Sequence, residues 1–201
     1  MSSTVTYEEL QRAGVGAYFR PRDIEPLGVT YYQLQKMVAE GGAESVGHGL
    51  YRLSEPDLGE METIAMVASA MPQGIVCLLS ALRVHEIGTQ SPWQVWMAID
   101  RKARKPTRLP SAVQIVRFSG AMLTYGVETT SMLGVPVRIT SPARTVVDCF
   151  RYRNKIGLDV AMEALREAVR SRRALVSEID RAAEVCRIST VMAPYLAALS
   201  V

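Results

Sequence analysis

The order of helix caps and glycines in the first 53 residues constrains this chain more than any other feature. Thr6-Tyr7-Glu8-Glu9 places a hydroxyl three residues before a carboxylate, a reciprocal capping pattern. A first helix is expected from about Tyr7 to Ala13, stopped by Gly14. Pro21 suits the first position of a second, short helix, with Asp23 in its first turn; that helix runs to Leu27 and Gly28 ends it. Thr30-Tyr31-Tyr32-Gln33 repeats the start signal, and Gly41-Gly42 stops a third helix near Glu40. Glu44-Ser45-Val46 and Leu50-Tyr51-Arg52-Leu53 read as short strands around Gly47-His48-Gly49, whose glycines permit positive φ. Two helices joined by the short turn Leu27-Gly28-Val29-Thr30 and followed directly by a hairpin predict a winged helix-turn-helix over residues 1–55.

In such a unit the third helix needs one face held in the domain and another turned toward the DNA major groove. At 100° per residue, Leu34, Met37 and Val38 fall on one side. Tyr32, Lys36 and Ala39 fall opposite, flanked by Gln33 and Gln35. A glutamine amide can pair with adenine, and tyrosine and lysine can reach phosphate or a base edge. The DNA-contact candidates are therefore Thr30, Tyr32, Gln33, Gln35 and Lys36. Arg20 and Arg22 join them at the start of the second helix, and His48 and Arg52 in the hairpin.

Ser54 to Gly59 is polar, contains Pro56 and Gly59, and marks a boundary. Residues 60–201 read as one larger mixed α/β domain, so the fold class is α+β. Helices are expected at Glu62–Met71, Val76–Val84, Thr145–Tyr152, Leu158–Arg170, Ser177–Arg187 and Thr190–Leu199, the last kinked or divided at Pro194. Strands are expected at Val95–Ile99, Val113–Phe118 and Val135–Ile139. Residues 63–82 carry no charge, but Pro72-Gln73-Gly74 breaks the run, so it reads as two buried elements rather than a membrane span. Met1–Leu10 lacks the pattern of a signal peptide. Cys77, Cys149 and Cys186 are an odd number, far apart, with no CxxC pair. They suggest buried thiols in a reducing cytoplasm rather than disulfides or zinc.

Charge is unevenly placed. Residues 1–56 carry Arg12, Arg20, Arg22, Lys36 and Arg52 against Glu8, Glu9, Asp23, Glu25, Glu40, Glu44 and Glu55. DNA binding by that segment must therefore rest on local placement, with help from the rest of the chain. Arg101, Lys102, Arg104, Lys105 and Arg108 form a basic loop that is either a solvated turn or a secondary DNA or partner surface. Ser141-Pro142-Ala143-Arg144-Thr145 reads as a capped turn into a helix, with Arg144 and Asp148 spaced to pair. Arg144 with Arg151, Arg153 and Lys155 forms either a second interaction surface or, for Arg144, a buried bridge.

Several segments resemble the AbiE-type antitoxins of type IV abortive-infection toxin–antitoxin pairs. They are Gly28-Val29-Thr30 through Gly47-His48-Gly49-Leu50-Tyr51-Arg52-Leu53, Gly74–Leu82, Val95–Ile99, Val116–Gly120, Ser141–Phe150 and Arg153-Asn154-Lys155-Ile156-Gly157. The resemblance spans about residues 6–198. It implies a transcriptional autorepressor that binds double-stranded DNA repeats in its own promoter, and a C-terminal domain that counters a nucleotidyltransferase toxin. Cofactors, metal, membrane and catalysis are not expected.

Two rival readings carry their own signals. Asp100 and Lys102 have the spacing of a metal-dependent nuclease, with Glu86 as the nearest further carboxylate. A Ser or Cys hydrolase is weaker: GxSxG, HExxH and phosphate-loop motifs are absent, and His85 ends an apolar helix, where a structural role is expected. The outward face of the third helix would also suit a pure protein-interaction module.

Overall fold

The computed structural model describes residues 7–47, 49–53 and 61–199. Its fold is mixed α+β, with helices and two separate sheets. The chain divides into two compact units. The first comprises residues 1–72 with 106–111 and 130–137; the second comprises 73–105, 112–129 and 138–201.

In the first unit, α1 (Tyr7–Arg12) is followed by β1 (Tyr18–Phe19), α2 (Pro21–Ile24), a 3-10 turn (Glu25–Leu27) and α3 (Tyr31–Ala39). The hairpin β2 (Ala43–Gly47) and β3 (Leu50–Leu53) comes next. Gly28 closes the turn between α2 and α3 in the left-handed region at φ 77°, which a side chain rarely adopts. The sheet order is β1-β3-β2, antiparallel, with Phe19 opposite Tyr51 and Ala43 opposite Leu53. Strand β1 is unforeseen, because two residues cannot show an alternation. Leu10, Phe19, Ile24, Val29, Leu34, Met37 and Leu53 form the small core of this unit. The expected boundary at 54–59 lies outside the described residues, and α4 (Glu62–Ala70) groups with the first unit.

The second unit is built on a five-stranded sheet in the order β6-β5-β4-β8-β7. These strands are β4 (Ile75–Val76), β5 (Val95–Asp100), β6 (Val113–Phe118), β7 (Val127–Met132) and β8 (Val135–Thr140). Strand β5 runs parallel to β6 and antiparallel to β4, and β4 runs parallel to β8. The turn end of β7 and β8 is counted with the first unit. The helices are α5 (Leu78–Val84), α6 (Pro142–Arg151), α7 (Arg153–Ile156), α8 (Leu158–Arg170), α9 (Val176–Val185) and α10 (Ser189–Ala197). Helix α10 remains one element through Pro194.

Several expectations need correcting here. The helix expected from Val76 begins at Leu78, because Ile75 and Val76 join the sheet. Strand β7 is unforeseen, since Glu128–Ser131 are four consecutive exposed residues without alternation. The helix expected from Ser177 begins at Val176, where the Glu178 carboxylate accepts from the Leu175 N–H. The uncharged run at 63–82 is divided among α4, β4 and α5. Among the described residues no helix is long and apolar enough to cross a membrane.

Candidate nucleic-acid interface

Helix α3 carries the strongest sequence-derived candidates. Its reciprocal cap is formed: Thr30 Oγ1 accepts from the Gln33 N–H at 3.3 Å, and Gln33 Oε1 accepts from the Thr30 N–H at 2.8 Å. Leu34 and Met37 are buried and Val38 is half-buried, which fixes the inward face. Tyr32 is 78% exposed, and Tyr31, Gln35 and Lys36 are also exposed. The helical periodicity therefore places the outward residues as expected. Gln33 is different. Its amide oxygen also meets Thr30 Oγ1 at 2.9 Å, so the cap occupies the group proposed for base contact.

The surroundings of this face mix aromatic, amide and paired charges. Gln35 Nε2 donates to the Tyr51 hydroxyl at 3.2 Å. The Tyr51 ring stacks on Phe19 with centroids 6.0 Å apart. The neighbouring Tyr51 hydroxyl raises the pKa of Tyr31 above the ordinary phenol value. Lys36 lies 3.6 Å from Glu40, one helical turn on, and Arg22 lies 3.7 Å from Asp23. Arg20 precedes α2, where its N–H donates to Asp23 at 2.7 Å. Arg22 and Lys36 thus each have a carboxylate neighbour, with which a phosphate would have to compete.

Arg52 does not fit a phosphate-contact role. Its guanidinium bonds Glu44 at 2.8 Å and Glu62 at 2.6 Å, and Glu62 also accepts from the Tyr18 hydroxyl at 2.7 Å. The Tyr18 bond first, and the Arg52 bond second, hold the Glu62 carboxyl below the usual range. Burial and the same carboxylate push the Tyr18 phenol up. Arg52 is thus a strut between β2, β3 and α4. Glu62 was not anticipated, because its partners lie ten and 44 residues away in sequence. His48 lies outside the described residues.

The basic loop is exposed at Arg101, Lys102, Arg104, Lys105 and Arg108. The first four belong to the second unit and Arg108 to the first. Its root is held by Arg117, which donates to the Asp100 and Ala103 carbonyls at 2.9 and 2.6 Å. The loop is thus anchored at its base with its cations outward.

In the Ser141–Thr145 segment, Arg144 and Thr145 are buried in the core while Ser141, Pro142 and Ala143 are half-buried. Ser141 accepts from the Arg144 N–H at 3.4 Å and Pro142 opens α6. Arg144 and Asp148 are both 0% exposed and bond at 3.0 Å. The remaining Arg144 nitrogens donate to the Tyr125 and Met122 carbonyls at 2.6 and 3.2 Å, and the guanidinium lies 5.0 Å from the Phe118 ring centroid. Gly126, at φ 60°, makes room: a Cβ there would lie 2.8 Å from that of Arg144. Asp148 Oδ2 has no partner among the described residues. Burial, opposed by Arg144, pushes the Asp148 carboxyl up to about 6. Arg144 is therefore removed from the candidate contact surface. Arg151 and Arg153 are also engaged, donating to the carbonyls of Cys186 at 2.9 Å and Phe150 at 2.8 Å near helix ends. Lys155 is exposed.

The rival chemistry has other uses for its residues. Asp100 Oδ1 accepts from the Lys102 N–H at 2.7 Å, shaping the turn after β5, and Glu86 pairs with Arg173. Among the described residues no three His, Cys, Asp or Glu side chains gather as a metal set. His85 Nε2 meets the Thr140 carbonyl at 2.7 Å, and burial lowers its pKa. Cys77, Cys149 and Cys186 are buried free thiols, with their pKa values raised chiefly by that burial.

No family model and no curated protein sequence matches this chain. Among solved structures it is similar to the RV2827C protein from Mycobacterium tuberculosis, at 13% identity and a TM-score of 0.44. That alignment covers 96% of this chain and 75% of the other. At those values the similarity carries no argument about function.

Proposed function

We propose that this chain is a double-stranded DNA-binding regulator whose first unit is a winged helix-turn-helix. In this reading α2 and the Gly28 turn brace α3, the β2–β3 hairpin is the wing, and α3 enters the major groove. One observation carries it: α3 is anchored by Leu34 and Met37 while Tyr32, Gln35 and Lys36 face outward together. The exposed cations of the 101–108 loop supply additional sites for phosphate. The sequence resemblance to AbiE-type antitoxins supports a more specific role, namely autorepression of its own promoter and antagonism of a nucleotidyltransferase toxin by the C-terminal part.

The test is a salt titration of full-length protein on a labelled duplex taken from upstream of its own reading frame. Affinity should fall linearly in log–log form with salt, and Lys36→Ala should flatten that slope by about one. Absence of any shift at low salt refutes the DNA reading and favours a protein-interaction module. The antitoxin role is tested separately, by co-expression with a nucleotidyltransferase encoded in the adjacent reading frame. Growth should be rescued by the wild-type chain.

A further inference from the structure

We infer that Gln35 selects an adenine in the bound duplex and that Tyr51 is the positioning residue that presents its amide. This inference rests on the DNA-binding reading above and deepens it.

The exposed polar side chains of α3 are Tyr31, Tyr32, Gln35 and Lys36. Only Gln35 offers a donor and an acceptor in one plane, the arrangement that matches adenine N7 and N6 in the major groove. Gln33 carries the same amide, but its oxygen is committed to the Thr30 backbone and hydroxyl at 2.8 and 2.9 Å. Helix α3 contains no arginine, the side chain best suited to pair with guanine.

A free glutamine is a poor reader, because its rotatable bonds must be frozen on binding. Here the freezing is done beforehand. The Tyr51 hydroxyl takes one Nε2 hydrogen of Gln35 at 3.2 Å. The second Nε2 hydrogen and the Oε1 atom remain to face a base. Tyr51 is itself held: it is 7% exposed and its ring stacks on Phe19. The hydroxyl comes from β3, so the hairpin orients a side chain of the helix, and the reading group is built from two elements rather than one. This is the supporting contact that a base-reading side chain needs to discriminate.

The experiment uses full-length protein and a library of duplexes randomised over about two turns of DNA, long enough to hold two half-sites centred about one turn apart. After selection, every single-base variant of the recovered duplex is titrated. One adenine position is expected per half-site, at which substitution weakens binding about tenfold. Gln35→Arg should move the preference at that position from adenine to guanine. Tyr51→Phe keeps the ring and its stacking; it should lower discrimination several-fold at that same position, with the melting temperature and the other positions unchanged. If Gln35→Ala keeps the adenine preference, or Tyr51→Phe weakens all duplexes equally, the inference is overturned. Binding of the wild-type chain without any base preference overturns it too, while leaving the DNA reading intact. If no duplex is retained at low salt, both fall together.

Discussion

Arg52 in the first unit and Arg144 in the second are both paired with carboxylates, yet they do different physical work. Arg52 sits part-exposed between Glu44 and Glu62, where water and salt weaken each attraction. Arg144 sits fully buried against Asp148, with two carbonyls and an aromatic ring completing its shell. There the attraction is strong, and so is the penalty for leaving either charge alone. The comparison extends to the units themselves. In the first, the informative side chains are at the surface of α3 and a small core holds them outward. In the second, the most conspicuous motif of the sequence is turned inward and organises the junction of α6 with the 122–126 segment.

The largest expected effect comes from the buried pair. Arg144→Met should destabilise the protein by about 3–5 kcal/mol, because Asp148 is then an uncompensated buried charge. Adding Asp148→Leu should restore much of that loss in denaturant melts. A single-variant loss below about 1 kcal/mol breaks the contrast with Arg52. In the first unit, Leu34→Ala should cost about 2–5 kcal/mol by opening a cavity beneath α3, and should abolish DNA retention as well. Urea melts with a spectroscopic probe in each unit would show whether the loss stays local.

A pH series sharpens the comparison next. The Asp148 carboxyl is raised from 3.8 to about 6 in the fold, so the folded state binds its proton more tightly than the unfolded chain does. Its contribution to stability is therefore full below the unfolded value and declines as pH rises through the folded one. Asp148→Asn should remove that declining component between pH 3.8 and about 6, read as a difference in the slope of stability against pH. An unchanged slope would show that the buried pair does not titrate as its burial implies. The smallest effect belongs to the exposed strut: Glu62→Gln should cost about 1 kcal/mol, and high salt should shrink the difference further.

Local rules carried far in the first 53 residues. The Thr30–Gln33 cap, the Gly28 turn, the end of α3 and the inward set Leu34 and Met37 are all nearest-neighbour effects, and a sequence displays them directly. Short pairing partners were not legible. Strands β1 and β4 have two residues each and are strands only because β3, β5 and β8 lie beside them. The candidate site shows the same division. Tyr32, Gln35 and Lys36 emerge from helical periodicity, whereas the engagement of Arg52 with Glu62 and of Gln35 with Tyr51 joins residues from separate elements.

By itself, the sequence determined which residues start and stop the helices and which side of α3 turns inward, since capping and periodicity act within a few residues. The tertiary structure alone decided that Arg144 is a core cation, that Arg52 is a strut and that Tyr51 grips Gln35. The reason is physical: the worth of a charge or an amide depends on the water and partners around it, and those are supplied by chain segments far away in sequence.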